Sequence, residues 1–246
     1  MLEGKNVIVT GCLQGIGKET VAVFAKNRAN VFACAYKQDE EFACFCDRLA
    51  KENDVEIVPV YFDMSDNETV KSAAKQIISR RKEIHGLVNI AGMNRDAHFG
   101  MMSCQDLYDT FQVNFFAQIL FTQYITRWMQ RNKTRGSIVF TSSIAALTGS
   151  EGQVAYGASK AALIGAMRSM ALELGKDGIR VNAVAPGVIH SPMTQKLDDA
   201  WICDRVMKMD IPRMGNANEV SNLYMFLVSD LACHITGQVM RVDGGM

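Results

Sequence analysis

The chain has 246 residues, of which 48% are hydrophobic and 21% charged, and its formal net charge is zero. This composition predicts one folded domain with a sizeable core over residues 1–246. A formal net charge of zero without a long run of like charge argues against general nucleic-acid binding, and no apolar run approaches the roughly 18 residues of a membrane span. We therefore expect neither a nucleic-acid nor a membrane partner. The first residues read as a strand and not as a signal peptide, which predicts a cytoplasmic protein.

Seven short apolar runs alternate with stretches of helical periodicity along the chain. The apolar runs cover 5–11, 30–36, 56–63, 85–92, 136–143, 179–187 and 238–245. The helical patterns cover 15–29, 40–54, 65–84, 103–131 and a run that contains Tyr156. Because apolar strands that alternate with helices form parallel sheets covered on both faces, this order predicts an α/β fold. The predicted architecture is a single-domain, Rossmann-type, doubly wound parallel sheet of about seven strands with helices on both faces.

One long irregular stretch, 187–215, interrupts this alternation and contains two prolines, Pro192 and Pro212. A short helix is predicted within it, over 195–209. Because long loops inside compact domains are usually functional, we interpret residues 188–214 as a lid over the substrate.

The loop after the first strand contains three glycines, Gly11, Gly15 and Gly17, and leads directly into the first helix. Glycines allow a tight turn and a close approach of the backbone to a pyrophosphate, which the N-terminus of the following helix attracts. The context of strand, loop and helix therefore predicts a dinucleotide-binding loop.

The end of the second strand selects between the two nicotinamide dinucleotides. An acidic residue there binds a free ribose 2′-hydroxyl, whereas a basic residue accommodates a 2′-phosphate. This strand ends at Ala35 and Tyr36 without an acid, and Lys37 follows directly. We predict NADP(H) as the preferred cofactor. NAD(H) is the alternative, under which Lys37 is an ordinary solvated lysine.

Tyr156 and Lys160 lie four positions apart in a helical run of small residues. Positions i and i+4 share one face of a helix, with Cα atoms roughly 6 Å apart along the axis. A phenol that titrates near pH ~10 ionises more easily beside an ammonium, so Lys160 is expected to lower the pKa of Tyr156. With the Ser143 hydroxyl upstream, this pair is a candidate proton-handling group.

Six motifs occur in a fixed order along the chain. They are Gly11-x3-Gly15-x-Gly17, Asn89-Ile90-Ala91-Gly92, Asn114, Ser143, Tyr156-x3-Lys160 and Pro186-Gly187. In this order and at these spacings the sequence resembles the short-chain dehydrogenase/reductase family over essentially its whole length. The resemblance implies an NAD(P)-dependent oxidoreductase that reduces a ketone to a secondary alcohol.

The resemblance also implies a role for each catalytic candidate. Tyr156 is expected to act as the general acid in reduction, and Lys160 to bind the nicotinamide ribose. Ser143 is expected to hold the carbonyl oxygen, on which negative charge develops. Asn114 matches the family asparagine that holds a water in a proton relay to the lysine.

The cofactor contacts implied by the resemblance come from every segment that ends near the glycine loop. They are Gly11, Gln14, Gly15, Ile16, Gly17, Lys37, Asp63, Met64, Asn89, Ala91, Gly92, Tyr156, Lys160, Pro186, Gly187, Ile189 and Ser191.

Within the family the sequence looks most like the 3-oxoacyl-[acyl-carrier-protein] reductases of fatty-acid biosynthesis, so a 3-oxoacyl thioester is the expected substrate. Acyl carrier protein is a candidate partner. Those enzymes commonly carry a basic residue where Asp177 stands here, before Gly178, although Lys176 and a basic cluster before the fifth strand are near in sequence. The alternatives are an alcohol, sugar or steroid dehydrogenase with a free substrate, and a dinucleotide-binding protein without turnover.

Cysteines and histidines are scattered without ligand spacing, so no metal site is expected. The long helical pattern at 103–131 and the Tyr156 helix carry an apolar face. By resemblance this face implies a homotetramer or homodimer.

Overall fold

The computed structural model describes residues 1–196 and 199–246, and it is built around one seven-stranded sheet. Every strand pairs in parallel with its neighbours, in the order β3-β2-β1-β4-β5-β6-β7. The strands are β1 (Asn6–Thr10), β2 (Asn30–Ala35), β3 (Ile57–Tyr61), β4 (Gly86–Asn89), β5 (Gly136–Thr141), β6 (Ile179–Pro186) and β7 (Val239–Val242). The predicted doubly wound parallel sheet is confirmed.

Helices cover both faces of this sheet. They are α1 (Gly15–Lys26), α2 (Glu40–Asn53), α3 (Asn67–Ser79), α4 (Cys104–Phe111), α5 (Ala117–Asn132), α6 (Ala145–Thr148), α7 (Val154–Leu174), α8 (Asp199–Met207) and α9 (Ala217–Val228). The side chains of β1 point alternately to the two faces of the sheet, so they belong to two separate parts of the core. Val7 and Val9 pack with α1, α2 and α9, whereas Ile8 packs with α3, α5 and α7. Within the described residues, no helix has both the length and the apolar character needed to cross a membrane.

The order of the strands creates a crevice beside β1. The chain runs outward from β1 through β2 to β3, then returns and continues on the other side of β1 with β4. In open α/β sheets this reversal point leaves a crevice at the carboxyl ends of the strands, where ligands bind. Thr10 at the end of β1 connects this strand to the loop after β4. Its hydroxyl accepts hydrogen bonds from the backbone N–H groups of Ile90 (3.0 Å) and Ala91 (3.1 Å).

The helical pattern at 103–131 forms one uninterrupted helical stretch from Cys104 to Asn132. A π-helical turn, Gln112–Phe116, contains Asn114 and separates α4 from α5 within this stretch. The pattern at 65–84 ends earlier than predicted, as α3 at Ser79, and its N-cap is Asp66, whose carboxylate accepts from the backbone N–H of Glu68. Local periodicity does not reveal the π turn or the end of α3, because both depend on how backbone groups are satisfied.

Helix α9 is absent from the sequence-based prediction. Its residues are mostly apolar, and a short apolar run does not by itself distinguish a helix from a strand. The available signal was the capping box at its start, in which the Glu219 carboxylate accepts a 2.7 Å hydrogen bond from the backbone N–H of Asn216.

The two ends of the predicted lid, residues 188–214, lie side by side and are joined by backbone hydrogen bonds. The backbone N–H of His190 donates to the Gly215 carbonyl (2.9 Å), and the Gly215 N–H donates to the Val188 carbonyl (2.9 Å). The helix predicted at 195–209 is shorter in the structure, where α8 follows a single 3₁₀ turn at Thr194–Lys196. Leu197 and Asp198 lie outside the described residues.

Candidate active site

A cleft with a volume of about 410 Å³ opens at the carboxyl ends of the strands. Its wall is formed by the glycine loop, the ends of β2 to β6, the start of α7 and the first residues of the predicted lid. The predicted site residues that line it are Gly11, Gln14, Gly15, Ile16, Gly17, Asp63, Met64, Ala91, Gly92, Ser143, Tyr156, Lys160, Pro186, Gly187, Ile189 and Ser191. Segments from most of the chain therefore meet here, and together they provide one continuous surface to which an elongated ligand can bind.

Three of the predicted site residues do not line the cleft. Asn89 is fully buried and donates from its side-chain amide to the Thr122 hydroxyl (3.0 Å), so it supports the end of β4 from within. Lys37 lies beyond the rim, with its ammonium 5.5 Å from the centre of the Tyr36 ring. Asn114 lies one layer behind the wall.

The glycine loop allows backbone to approach backbone at two points. Gly11 has a φ of +74°, and a Cβ built on it would lie 2.8 Å from the backbone of Ala91. A Cβ on Gly17 would lie only 2.0 Å from the carbonyl oxygen of Gly11. A side chain at either position would overlap with neighbouring backbone, which explains why glycine occurs at both positions.

Ser143, Tyr156 and Lys160 converge on one part of the cleft. The Lys160 ammonium is 5.8 Å from the centre of the Tyr156 ring and donates a 2.8 Å hydrogen bond to the carbonyl of Thr141. The Ser142 hydroxyl donates to the Lys160 carbonyl (2.9 Å), which joins α7 to the end of β5. The i, i+4 geometry predicted from the sequence thus places the phenol and the ammonium on the same wall.

Asn114 is held rigidly behind this wall. Its side-chain oxygen accepts from the backbone N–H of Met93 (2.8 Å), and its amide donates to the Met93 carbonyl (2.9 Å) and to the Ser159 hydroxyl (3.0 Å). A Cβ on Gly92 would lie 3.2 Å from both the Asn114 oxygen and the Lys160 nitrogen, so little space separates these two groups from the loop. Asn114 therefore joins the π-helical turn, the β4 loop and α7, and single π turns often mark functional positions.

Comparison with known proteins agrees with this arrangement. A family profile described as "Enoyl-(Acyl carrier protein) reductase" matches residues 11–246. The 3-oxoacyl-[acyl-carrier-protein] reductase of Thermotoga maritima is 36% identical over all of this chain and 98% of its own length. The chain belongs to the short-chain dehydrogenase/reductase family.

Two further relatives support the same placement. The 3-oxoacyl-[acyl-carrier-protein] reductase of Aquifex aeolicus is 35% identical over 100% of this chain and 98% of its own length. The crystal structure of a 3-oxoacyl-[acyl-carrier protein] reductase from Brucella melitensis superposes with a TM-score of 0.92 and is 29% identical, covering 100% of this chain and 92% of that one. As a short-chain dehydrogenase/reductase, the protein uses a nicotinamide dinucleotide.

The residues of this short-chain dehydrogenase/reductase fit such a cofactor. Helices α2, α3 and α4 each begin with a side chain that caps a backbone N–H, from Asp39, Asp66 and Ser103. Helix α1 begins at the cleft with Gln14, which makes no capping hydrogen bond, and its first turn has no acidic residue. An uncapped helix start beside a glycine cradle is suited to binding phosphate oxygens.

Burial governs the acidity of Tyr156 in this reductase. Loss of hydration raises the pKa of the phenol, and the negative charge of Asp96 adds to this, while the Ser143 hydroxyl acts in the opposite direction. The expectation that Lys160 lowers the pKa of Tyr156 is therefore wrong for this structure. The reason is that desolvation exceeds the other influences, and the ammonium donates to the Thr141 carbonyl. A phenol that stays protonated at neutral pH is the form that a proton donor requires.

Lys160 is only 2% exposed, and burial lowers the pKa of its ammonium to about 8. An unfolded lysine titrates near pH ~10.4, so between these values the unfolded chain retains a proton that the folded chain has released. We expect the free energy of unfolding of the wild type, relative to Lys160→Met, to rise by about 3 kcal/mol as the pH increases from about 8 to 10.5. Urea denaturation of both proteins across this range measures the difference.

Lys75→Met is the matched control for this comparison, since Lys75 lies exposed on α3. Its stability difference from the wild type should stay constant over the same pH range. A constant difference for Lys160→Met as well would contradict a lowered pKa for Lys160.

Several cleft residues were not singled out from the sequence. Thr10, Thr141 and Ser142 line the cleft at the ends of β1 and β5. The signal in the sequence was their position at the ends of predicted strands, because the carboxyl ends of parallel strands meet at one edge of a sheet. Which of their side chains face the cleft depends on strand register, which only the paired strands establish.

Proposed function

We propose that this protein is an NADP(H)-dependent reductase that converts the ketone of a 3-oxoacyl thioester into a secondary alcohol, with acyl carrier protein as the carrier. One observation supports this proposal most strongly. Ser143, Tyr156 and Lys160 converge at the end of a cleft with a glycine-loop floor, in a chain that matches 3-oxoacyl-[acyl-carrier-protein] reductases over its whole length.

The dinucleotide supplies the hydride for this reaction, and the chain supplies the proton and the alignment. The Ser143 hydroxyl holds the carbonyl oxygen and stabilises the negative charge that develops on it. Tyr156 donates its phenolic proton to that oxygen. The Lys160 ammonium passes a proton to the Tyr156 phenolate and regains one from water that enters the open cleft, and Asn114 holds the β4 loop and α7 together behind it.

The preference for NADP(H) rests on the end of β2. No acidic residue of the described chain lines this end of the cleft apart from Asp63, which follows β3. Tyr36 is 60% exposed and lines the cleft, and the Lys37 ammonium lies above its ring. Lys37 therefore remains free to swing toward a 2′-phosphate, with Tyr36 as the surface against which the adenine end rests.

Docking of a carrier protein is supported by an exposed basic patch near the start of β5. The patch consists of Arg127, Arg131, Lys133, Arg135 and Lys176. Asp177, the acidic departure from the family pattern, accepts a 2.7 Å hydrogen bond from the Gln130 amide, and the Arg135 side chain lies against Gly178. Arg135 thus lies beside the position where the relatives are expected to carry a basic residue. The positive charge of the patch is complementary to an acidic carrier protein.

A homotetramer or homodimer in the cytoplasm completes the proposal. Large apolar side chains are exposed along α4, the π-helical turn and α7, namely Tyr108, Phe116, Val154 and Leu172. Exposed apolar surface of this kind is typical of a contact between subunits.

The test is a kinetic comparison of substrates with both cofactors. We expect oxidation of NADPH to be fastest with acetoacetyl-acyl carrier protein, followed by acetoacetyl-coenzyme A, with NADPH favoured over NADH by roughly tenfold because one charged contact to the 2′-phosphate is added. Free sugars, steroid ketones and simple ketones serve as the comparison set. Faster turnover of any free ketone would favour the dehydrogenase alternative, and no turnover of any substrate would favour a binding protein.

A further inference from the structure

A second, smaller pocket of about 90 Å³ adjoins the cleft at Tyr156. We call it the side pocket. It shares Ser143 and Tyr156 with the cleft and extends toward the lid helix α8, from which Trp201 and Arg205 line it. A substrate whose carbonyl reaches the Tyr156 phenol therefore places its adjoining atoms in or beside the side pocket.

Arg205 brings a positive charge to this pocket. Its guanidinium lies 5.0 Å from the centre of the Trp201 ring, which holds it against the pocket wall. Among the residues whose side chains the structure describes, no carboxylate lies within 4.0 Å of this guanidinium. The nearest acid on α8 in sequence, Asp204, is paired with Lys208 at 2.7 Å.

Met246 also lines the side pocket, and its backbone oxygen accepts a hydrogen bond from the guanidinium of Arg241 instead of one from Arg205. The pocket therefore contains an arginine whose side-chain donors are directed to no acid of the described chain.

Two polar atoms of the pocket residues are also without partners. The side-chain oxygen of Asn94 and the hydroxyl of Ser150 are both buried, and neither makes a hydrogen bond within the described chain. Buried polar atoms without partners are costly and occur where a ligand or water completes them. The Arg205 guanidinium and the Ser150 hydroxyl can both donate to an anionic oxygen, whereas the Asn94 oxygen can only accept a hydrogen bond.

We propose that Arg205 selects substrates that carry an anionic oxygen group near the reacting carbonyl. The group is a carboxylate on the acyl chain, because the phosphate of a thioester carrier lies at the far end of the pantetheine arm, away from the reacting carbonyl. The Ser150 hydroxyl contributes a neutral hydrogen bond to the same carboxylate. This inference rests on the proposed ketone reduction at Tyr156 and names the charge of its substrate.

The test compares three thioesters in wild type, Arg205→Gln and Arg205→Lys. Acetoacetyl-coenzyme A carries phosphates, acetoacetyl-N-acetylcysteamine carries no charge, and 3-oxoadipyl-N-acetylcysteamine carries a carboxylate. Loss of a charge-assisted hydrogen bond should raise KM for the 3-oxoadipyl thioester by roughly 10- to 100-fold in Arg205→Gln, with kcat little changed, whereas KM for acetoacetyl-coenzyme A should change little. Arg205→Lys should recover part of the loss, and KM for the uncharged thioester should not change.

Lys208→Gln is the matched control, because it removes one positive charge from the residue that follows α8, outside the pocket. A selective rise in KM for the 3-oxoadipyl thioester supports recognition of a carboxylate near the carbonyl, whereas a selective rise for the coenzyme A thioester would place the recognised anion on the carrier and overturn the proposal. Equal effects on all three thioesters, a similar effect of Lys208→Gln, or weaker NADPH binding in Arg205→Gln would overturn the proposal.

Binding measurements separate this inference from the proposed function. Calorimetric titration of the three thioesters into the NADP⁺-loaded wild type and Arg205→Gln needs no turnover. If the wild type reduces none of the thioesters, the proposed function fails, while a selective loss of affinity for the 3-oxoadipyl thioester in Arg205→Gln still supports the pocket. If turnover is normal and all affinities are equal in the two proteins, only the inference about Arg205 fails.

Discussion

Replacing Tyr156 by phenylalanine should lower kcat/KM for the reduction of a 3-oxoacyl thioester by about 10²- to 10⁴-fold, the usual contribution of a general acid. The substitution removes the phenolic proton and keeps the ring. Because burial raises the pKa of Tyr156, the wild-type phenol is protonated at neutral pH and ready to donate. NADPH affinity should fall by no more than about tenfold, since at most one hydrogen bond to the cofactor is lost.

Tyr124→Phe provides the matched control for this result. Tyr124 lies on α5, packs against the core formed with α3 and α7, and does not line the cleft. In stopped-flow and steady-state assays, Tyr124→Phe should oxidise NADPH at the wild-type rate. Retention of full activity by Tyr156→Phe on every substrate would remove Tyr156 from the mechanism.

Replacing Gly17 by alanine should damage both folding and cofactor binding. The new Cβ would lie 2.0 Å from the Gly11 carbonyl oxygen, which is backbone and cannot rotate away as a flexible side chain does. Relieving an overlap of this kind costs about 1–3 kcal/mol and displaces the glycine loop. We expect the midpoint of urea unfolding to fall, and NADPH affinity to weaken by roughly 10- to 100-fold.

Gly175→Ala is the control for a glycine without such a constraint. Gly175 is exposed, its φ of −56° and ψ of −38° are helical, and a Cβ there would meet no atom within 4 Å. Alanine at this position should stabilise the fold slightly, by about 0.4–1 kcal/mol, and leave NADPH binding unchanged. Equal NADPH affinity in Gly17→Ala and wild type, measured by fluorescence titration, would show that close backbone approach at this loop is unnecessary for binding.

Local spacing was sufficient to predict one part of the site. Tyr156 and Lys160 share a wall because helical periodicity alone places positions i and i+4 on one face. The positions of Gly11 and Gly17 were likewise predictable, since a tight turn between a strand and a helix constrains residues that are near in sequence. The parallel sheet followed from apolar strands that alternate with helices.

Other features depended on contacts between distant segments. Asn114 lies in a π-helical turn because its side chain binds Met93 and Ser159, which are remote in sequence. The pKa of Tyr156 is raised because the folded chain excludes water from the phenol, and a neighbouring charge four residues away does not compensate.

The sequence by itself determined the fold class, because apolar strands that alternate with helices form a parallel sheet, and it predicted the dinucleotide cradle and the proton-handling pair from motifs that resemble those of the short-chain dehydrogenase/reductase family. Only the tertiary structure decided that Lys37 and Asn89 lie off the cleft and that Arg205 lies at its side. The physical reason is that exposure, desolvation and the pairing of charges depend on which distant side chains meet, and spacing along the chain does not specify those encounters.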